Sequence, residues 1–183
     1  MATVRRIRTV FTGVAGSPWY VNLHFTSAGA NTPQDQVQAV IDFWTGMASR
    51  MDGRSTARVD GDVAEIDLDS GAQTGISSGT GGAVAGGSND DPLPPATQML
   101  VRLSTGAYAK GRQIQGRIFI PGPTNYCNNA GVLTASTVTQ INTQALALIT
   151  AGLCVYSKTN KSVSTVSTAT AWSEFAVMRS RRD

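Results

Sequence analysis

The sequence predicts an α+β, mainly β fold: a largely antiparallel sheet or sandwich of seven or eight strands with two amphipathic helices packed on it. Three observations predict this. Stretches such as Trp19–Thr26 and Gln98–Thr105 alternate apolar and polar residues with period two, as a half-buried strand does. Two other stretches carry apolar residues at helical spacing behind clear start signals. The helices are too few and too irregularly spaced to provide the crossovers of a doubly wound parallel sheet. At 183 residues the chain is read as a single domain over 1–183.

Val4–Thr12 reads as a strand in which neither face is cleanly apolar, because Arg6 and Arg8 alternate with Ile7 and Thr9. Trp19–Thr26 is cleaner: Trp19, Val21, Leu23 and Phe25 share one face, and Tyr20, Asn22, His24 and Thr26 the other. The first helix starts with Thr32 at the N-cap, Pro33 at N1 and Asp35 at N3, a capping-box-like pattern. Val37, Val40, Ile41 and Trp44 give it an apolar stripe, and it is expected to run from Pro33 to about Arg50.

Thr56–Asp69 returns to strand character, but its phase changes midway. Val59 and Val63 belong to one face, Ile66 and Leu68 to the other, so a bulge near Ala64 is expected to restore one buried face. Asp67-x-Asp69-x-Gly71 opens like a calcium loop, yet Ser78 stands where the bidentate Glu belongs, and a turn is the expectation. Residues 70–89 hold seven glycines and almost no large apolar side chain, which reads as a flexible Gly-rich loop or arm.

Gln98–Thr105 and Gln113–Ile120 are strands joined through Gly106–Arg112. Thr134 fits the N-cap of the second helix, with Leu133 and Val138 as a hydrophobic staple and Gly152 as its C′ residue. Leu153–Ser157 and Thr170–Arg181 complete the strands.

The net charge of +3 conceals a segregation. Residues 1–58 carry net +3, residues 59–91 carry net −7 with no base, and residues 92–183 carry net +7. Two basic groups, Arg5, Arg6 and Arg8 near one end and Arg179, Arg181 and Arg182 near the other, form a candidate basic interface or nucleic-acid patch. Asp60, Asp62, Glu65, Asp67 and Asp69 form a candidate acidic interface. Such segments pair within a chain or across a repeated contact, where complementarity sets register.

Little else points to chemistry. There is one histidine, His24, read as structural or exposed, and there are two cysteines, Cys127 and Cys154, with no metal or redox spacing. No Gly-x-Ser-x-Gly elbow occurs. The expectation is a non-enzymatic protein with no catalytic residue, metal or cofactor. No apolar run is long enough for a membrane span, and the Arg-containing stretch Met1–Gly13 does not read as a secretion signal. A small carbohydrate-binding or hydrolytic domain is a further option; it needs Asp60, Asp62 or Glu65 in a cleft with Trp19 or Trp172.

Pro94–Gly111 (PPATQMLVRLSTGAYAKG), Arg112–Pro123 (RQIQGRIFIPGP) and Leu153–Asp183, with its VYSK and closing SEFAVMRSRRD, together resemble virus-encoded virion structural proteins. The resemblance implies a capsid or tail subunit located in the virion. Its partners would be copies of itself and other virion proteins, with contact to packaged nucleic acid open. The alternative from the residues is a nucleic-acid-binding accessory protein using the terminal arginine clusters.

Overall fold

Strand β1 (Thr3–Thr12) and strand β2 (Trp19–Thr26) pair antiparallel from Val4↔Thr26 to Phe11↔Trp19 and form the centre of the larger sheet. The computed structural model describes residues 2–12, 19–47, 56–59, 62–77, 82–85, 97–109, 112–120 and 135–175. Helix α1 (Pro33–Met47) follows β2, and its predicted cap forms in full. The Thr32 amide and hydroxyl both donate to Asp35 Oδ2, at 2.8 and 2.7 Å, while the Asp35 amide donates to Thr32 Oγ1 at 3.2 Å.

On the far side of β1 lie two collinear strands, β3 (Thr56–Val59) and β4 (Asp62–Asp67). Outside them run β5 (Gln73–Ser77), paired with β4, and β6 (Ala83–Ala85), paired with β3. A second, three-stranded sheet is built from β7 (Thr97–Ala109), β8 (Arg112–Ile120) and β11 (Thr168–Phe175), in the order β11-β7-β8. Helix α2 (Ala135–Thr150) leads into β9 (Leu153–Ser157) and β10 (Ser162–Thr165), which close the larger sheet beside β2. Every ladder is antiparallel. The eight strands of the larger sheet fill six positions: β10, β9, β2, β1, then β4 with β3, then β5 with β6. The fold class expected from the sequence is thus the observed one, with eleven strands among the described residues instead of seven or eight.

Two expectations about the middle of the chain are corrected. The ladder from Thr3↔Asp67 to Arg6↔Ala64 is continuous, so there is no bulge at Ala64. The irregularity sits between β4 and β3: Arg6 faces Ala64 but Thr9 faces Val59, which inserts two residues opposite β1. An even offset preserves the alternation of faces. Val59 and Val63 therefore both enter the main core, and Ile66 enters a second cluster on the opposite face. The Gly-rich stretch is likewise not a free arm throughout, because 73–77 and 83–85 are sheet strands. Residues 78–81 and 86–89 of that expectation lie outside the described residues.

The main core lies between the sheet and both helices. Ile7, Leu23, Phe25, Val59 and Val63 meet Val40, Phe43 and Trp44 of α1 and Ile141 and Leu148 of α2. The buried Trp44 indole N–H donates to Thr9 Oγ1 at 2.9 Å, which explains a threonine on the packed face of β1. The smaller cluster, on the sheet's other face, joins Val4, Ile66 and Cys154 to Leu68, Tyr156 and Val163. This explains why β1 shows no single apolar face: Ile7 and Val4 serve different cores. In the second sheet, the expected connection at Gly106–Arg112 is mostly strand, since β7 reaches Ala109 past an irregularity between Ser104 and Tyr108. The last strand, expected over Thr170–Arg181, is observed over Thr168–Phe175, and residues 176–181 of that expectation lie outside the described residues.

Candidate functional site

The three N-terminal arginines do not act together, because β1 points them to both faces. Arg5 turns to the helix side and is consumed there. Its Nε donates to Glu65 Oε1 at 3.2 Å, and its Nη1 donates to the Asn31 carbonyl at 3.0 Å and to Gln36 Oε1 at 3.2 Å. Gln36 is fully buried and passes the network on, its Nε2 donating to the carbonyls of Thr26 and Ala151, each at 3.0 Å. Asn31 Nδ2 donates to the Thr150 carbonyl at 3.0 Å. Side chains from the start of α1 thus satisfy carbonyls at the end of α2, groups that a helix leaves orphaned. The Arg5–Glu65 pair shows basic and acidic segments meeting within one chain.

Arg6 and Arg8 point to the face away from the helices. The register lays out what surrounds them. Arg6 stands between His24 and Ala64, Arg8 faces Asn22, and Val10 stands between Tyr20 and Arg58. Arg58, from β3, and Asn22 are exposed, and Tyr20 is 53% exposed despite its size. The Arg8 guanidinium lies 5.2 Å from the Tyr20 ring centroid, within cation–π range. Among the described residues, no side-chain hydrogen bond or ion pair engages the guanidinium of Arg6 or Arg58. The result is a basic strip of Arg6, Arg8 and Arg58 with one large exposed aromatic ring.

His24 closes one end of that strip. Its ring lies 5.3 Å from that of Tyr156, tilted by 49°. Burial, and secondarily the charge of Arg6, push its pKa down to about 4, so the ring is neutral at pH 7. Beside it in register, Cys154 is buried and its thiol is pushed up to about 12 by desolvation, which makes it a poor nucleophile.

The acidic residues are also dispersed. Glu65 belongs to the internal network. Asp67 organises the turn between β4 and β5: its Oδ1 accepts from the amides of Asp69 and Ser70, at 3.0 and 2.7 Å, and from Ser70 Oγ at 2.8 Å. These bonds hold its carboxyl below the usual range. Gly71, at φ 72, completes the turn. The turn reading of Asp67-x-Asp69-x-Gly71 therefore agrees with the structure. Asp69 is exposed at its tip, and its carboxylate has no partner among the described residues. Asp62 pairs in register with Ser77. Asp60, Arg179, Arg181, Arg182 and Cys127 lie outside the described residues, as do the side chains of Trp19 and Trp172. Among the described residues, no three His, Cys, Asp or Glu side chains gather as metal ligands, and no helix is long and apolar enough to cross a membrane.

Two residues escaped the sequence reading. Gln36 falls on the buried side of α1, but its partners lie as far as 115 residues away in sequence. Arg58 was readable in principle, since alternation puts it opposite the apolar Val59, but only the sheet order places it beside β1. No family model, curated protein or solved structure matches the chain.

Proposed function

We propose that the chain is a structural subunit of a virus particle, a capsid or tail component that assembles with copies of itself through charge-complementary contacts. The observation that carries this reading is the separation of unlike charges on the folded body. The basic strip of Arg6, Arg8 and Arg58 lies on the helix-free sheet face, whereas Asp67 and Asp69 lie at the β4–β5 turn. A body with spatially separated, unlike patches favours contacts between copies in a fixed register. The resemblance of its second half to virion structural proteins points the same way.

Electron microscopy of the concentrated, nuclease-treated protein tests the proposal. Rings, tubes or shells formed without nucleic acid support it, and their geometry separates a shell from a tail. Dispersed monomers at every concentration contradict it. A second reading, a nucleic-acid-binding accessory protein, draws on one observation, the exposed Tyr20 ring set among arginines, a pairing suited to base stacking and phosphate contact. It predicts oligonucleotide binding that weakens steeply with salt and is lost in Tyr20→Ala and Arg58→Glu.

A further inference from the structure

On the helix-free face of the larger sheet, the large side chains toward one end cover one another. Tyr156 packs against the cluster of Val4, Ile66 and Cys154, and its ring lies 5.3 Å from that of His24. Tyr20, toward the other end, is the one exposed aromatic ring among the described side chains. The Arg8 guanidinium sits over one face of that ring, 5.2 Å from its centroid, so a planar ligand would take the other face. Tyr20, Val10 and Arg58 form one row across β2, β1 and β3. Two strand spacings, about 10 Å, separate Tyr20 from Arg58. Arg6 stands on the same face four residues along β1 from Val10, or about 14 Å at strand rise. Neither Arg6 nor Arg58 has a carboxylate partner among the described residues.

We propose that this face binds single-stranded nucleic acid, with a base stacked on Tyr20 and phosphates held by Arg6 and Arg58. The inference rests on the nucleic-acid reading of the strip and names its substrate; it is independent of self-assembly. An exposed ring seeks a flat π-surface, and guanidinium groups without carboxylates seek anions. An acidic protein surface would supply only the second, whereas a nucleic acid with unpaired bases supplies both, at a regular spacing. A duplex hides its base faces inside the stack, and a broad sheet face cannot enter a groove to reach base edges. The half-buried Arg8 beside Tyr20 serves to hold the ring in place, so the stacking surface is set before the strand arrives.

Fluorescence anisotropy with the full chain tests this. The probes are a labelled oligothymidylate of about twelve nucleotides, within the site sizes of single-strand platforms, and a duplex of the same length. The single strand is expected to bind at least ten-fold more tightly than the duplex. Tyr20→Ala is expected to weaken single-strand binding at least five-fold and Tyr20→Phe to preserve it. Two phosphate contacts imply that log K falls with log salt at a slope of at least about −1.4, and Arg58→Gln is expected to remove about 0.7 of that slope while Arg58→Lys keeps it. Ultraviolet crosslinking of a bromouracil-containing strand to the unmodified chain needs no variant, and is expected to attach at Tyr20. If the duplex binds as tightly as the single strand, or the crosslink falls elsewhere and the substitutions change nothing, this inference fails and the nucleic-acid reading stands. If neither probe binds at low salt, both fall. Substitutions that alter the light-scattering mass and leave oligonucleotide binding untouched make the face a protein contact and also overturn the proposal.

Discussion

Gln36 is a buried amide whose hydrogen-bonding groups are spoken for by Arg5, Thr26 and Ala151. Replacing it with leucine leaves a guanidinium group and two carbonyls short of a partner in the interior. The expected loss is about 1–3 kcal/mol, read as a lower urea midpoint. His24 makes the stability depend on pH. Its pKa is about 4 in the folded chain against 6.5 when free, so the unfolded chain binds the proton more readily. Stability is therefore full above about pH 6.5 and falls as pH drops toward 4. The total is on the order of 3 kcal/mol for a shift of this size. His24→Phe removes the titrating group while keeping a ring against Tyr156, and is expected to flatten unfolding free energy between pH 6.5 and 4. An equal pH slope in that variant contradicts the assignment. Asp35 and Asp67, both held below their usual range, titrate under more acidic conditions than this window.

At the scale of elements, the helix ends were legible because their signals are local. Thr32 and Asp35 sit three residues apart and bond reciprocally, as their spacing indicated. Thr32→Ala is expected to cost about 1 kcal/mol, measured by thermal or urea denaturation. Gly152 was equally readable as the residue after α2. It adopts φ 92, its amide donates to the Ile149 carbonyl at 2.9 Å, and its own carbonyl accepts from the Thr26 amide at 2.9 Å. An added Cβ would lie 2.8 Å from Thr26 Oγ1. Gly152→Ala is thus expected to lose about 1–2 kcal/mol from left-handed backbone strain, and more if Thr26 has to move. The edge strands were not legible. Gln73–Ser77 and Ala83–Ala85 lack an apolar alternation long enough to announce a strand, and they exist because β4 and β3 offer unpaired edges. Ile66 was misassigned for a related reason: alternation shows that it opposes Val63, but not that the second face has its own cluster around Val4 and Cys154.

At the scale of the molecule, charge segregation along the sequence turned into three separate outcomes. One basic and one acidic residue, Arg5 and Glu65, joined inside the fold. Asp67 became a turn former. Arg6 and Arg58 remained on an outer face, and Asp69 remained at a tip, available to a neighbour. Linear charge counts cannot make that division, because strand alternation sends Arg5 and Arg6 to opposite faces and sheet order brings Arg58 from β3 to the strip. The most direct test of self-assembly is the light-scattering mass of nuclease-treated protein across a range of concentration and salt. The account predicts a mass that rises above the 19.2 kDa of one chain with concentration and falls back as salt screens the charged contacts. A mass fixed at that of one chain throughout would contradict it.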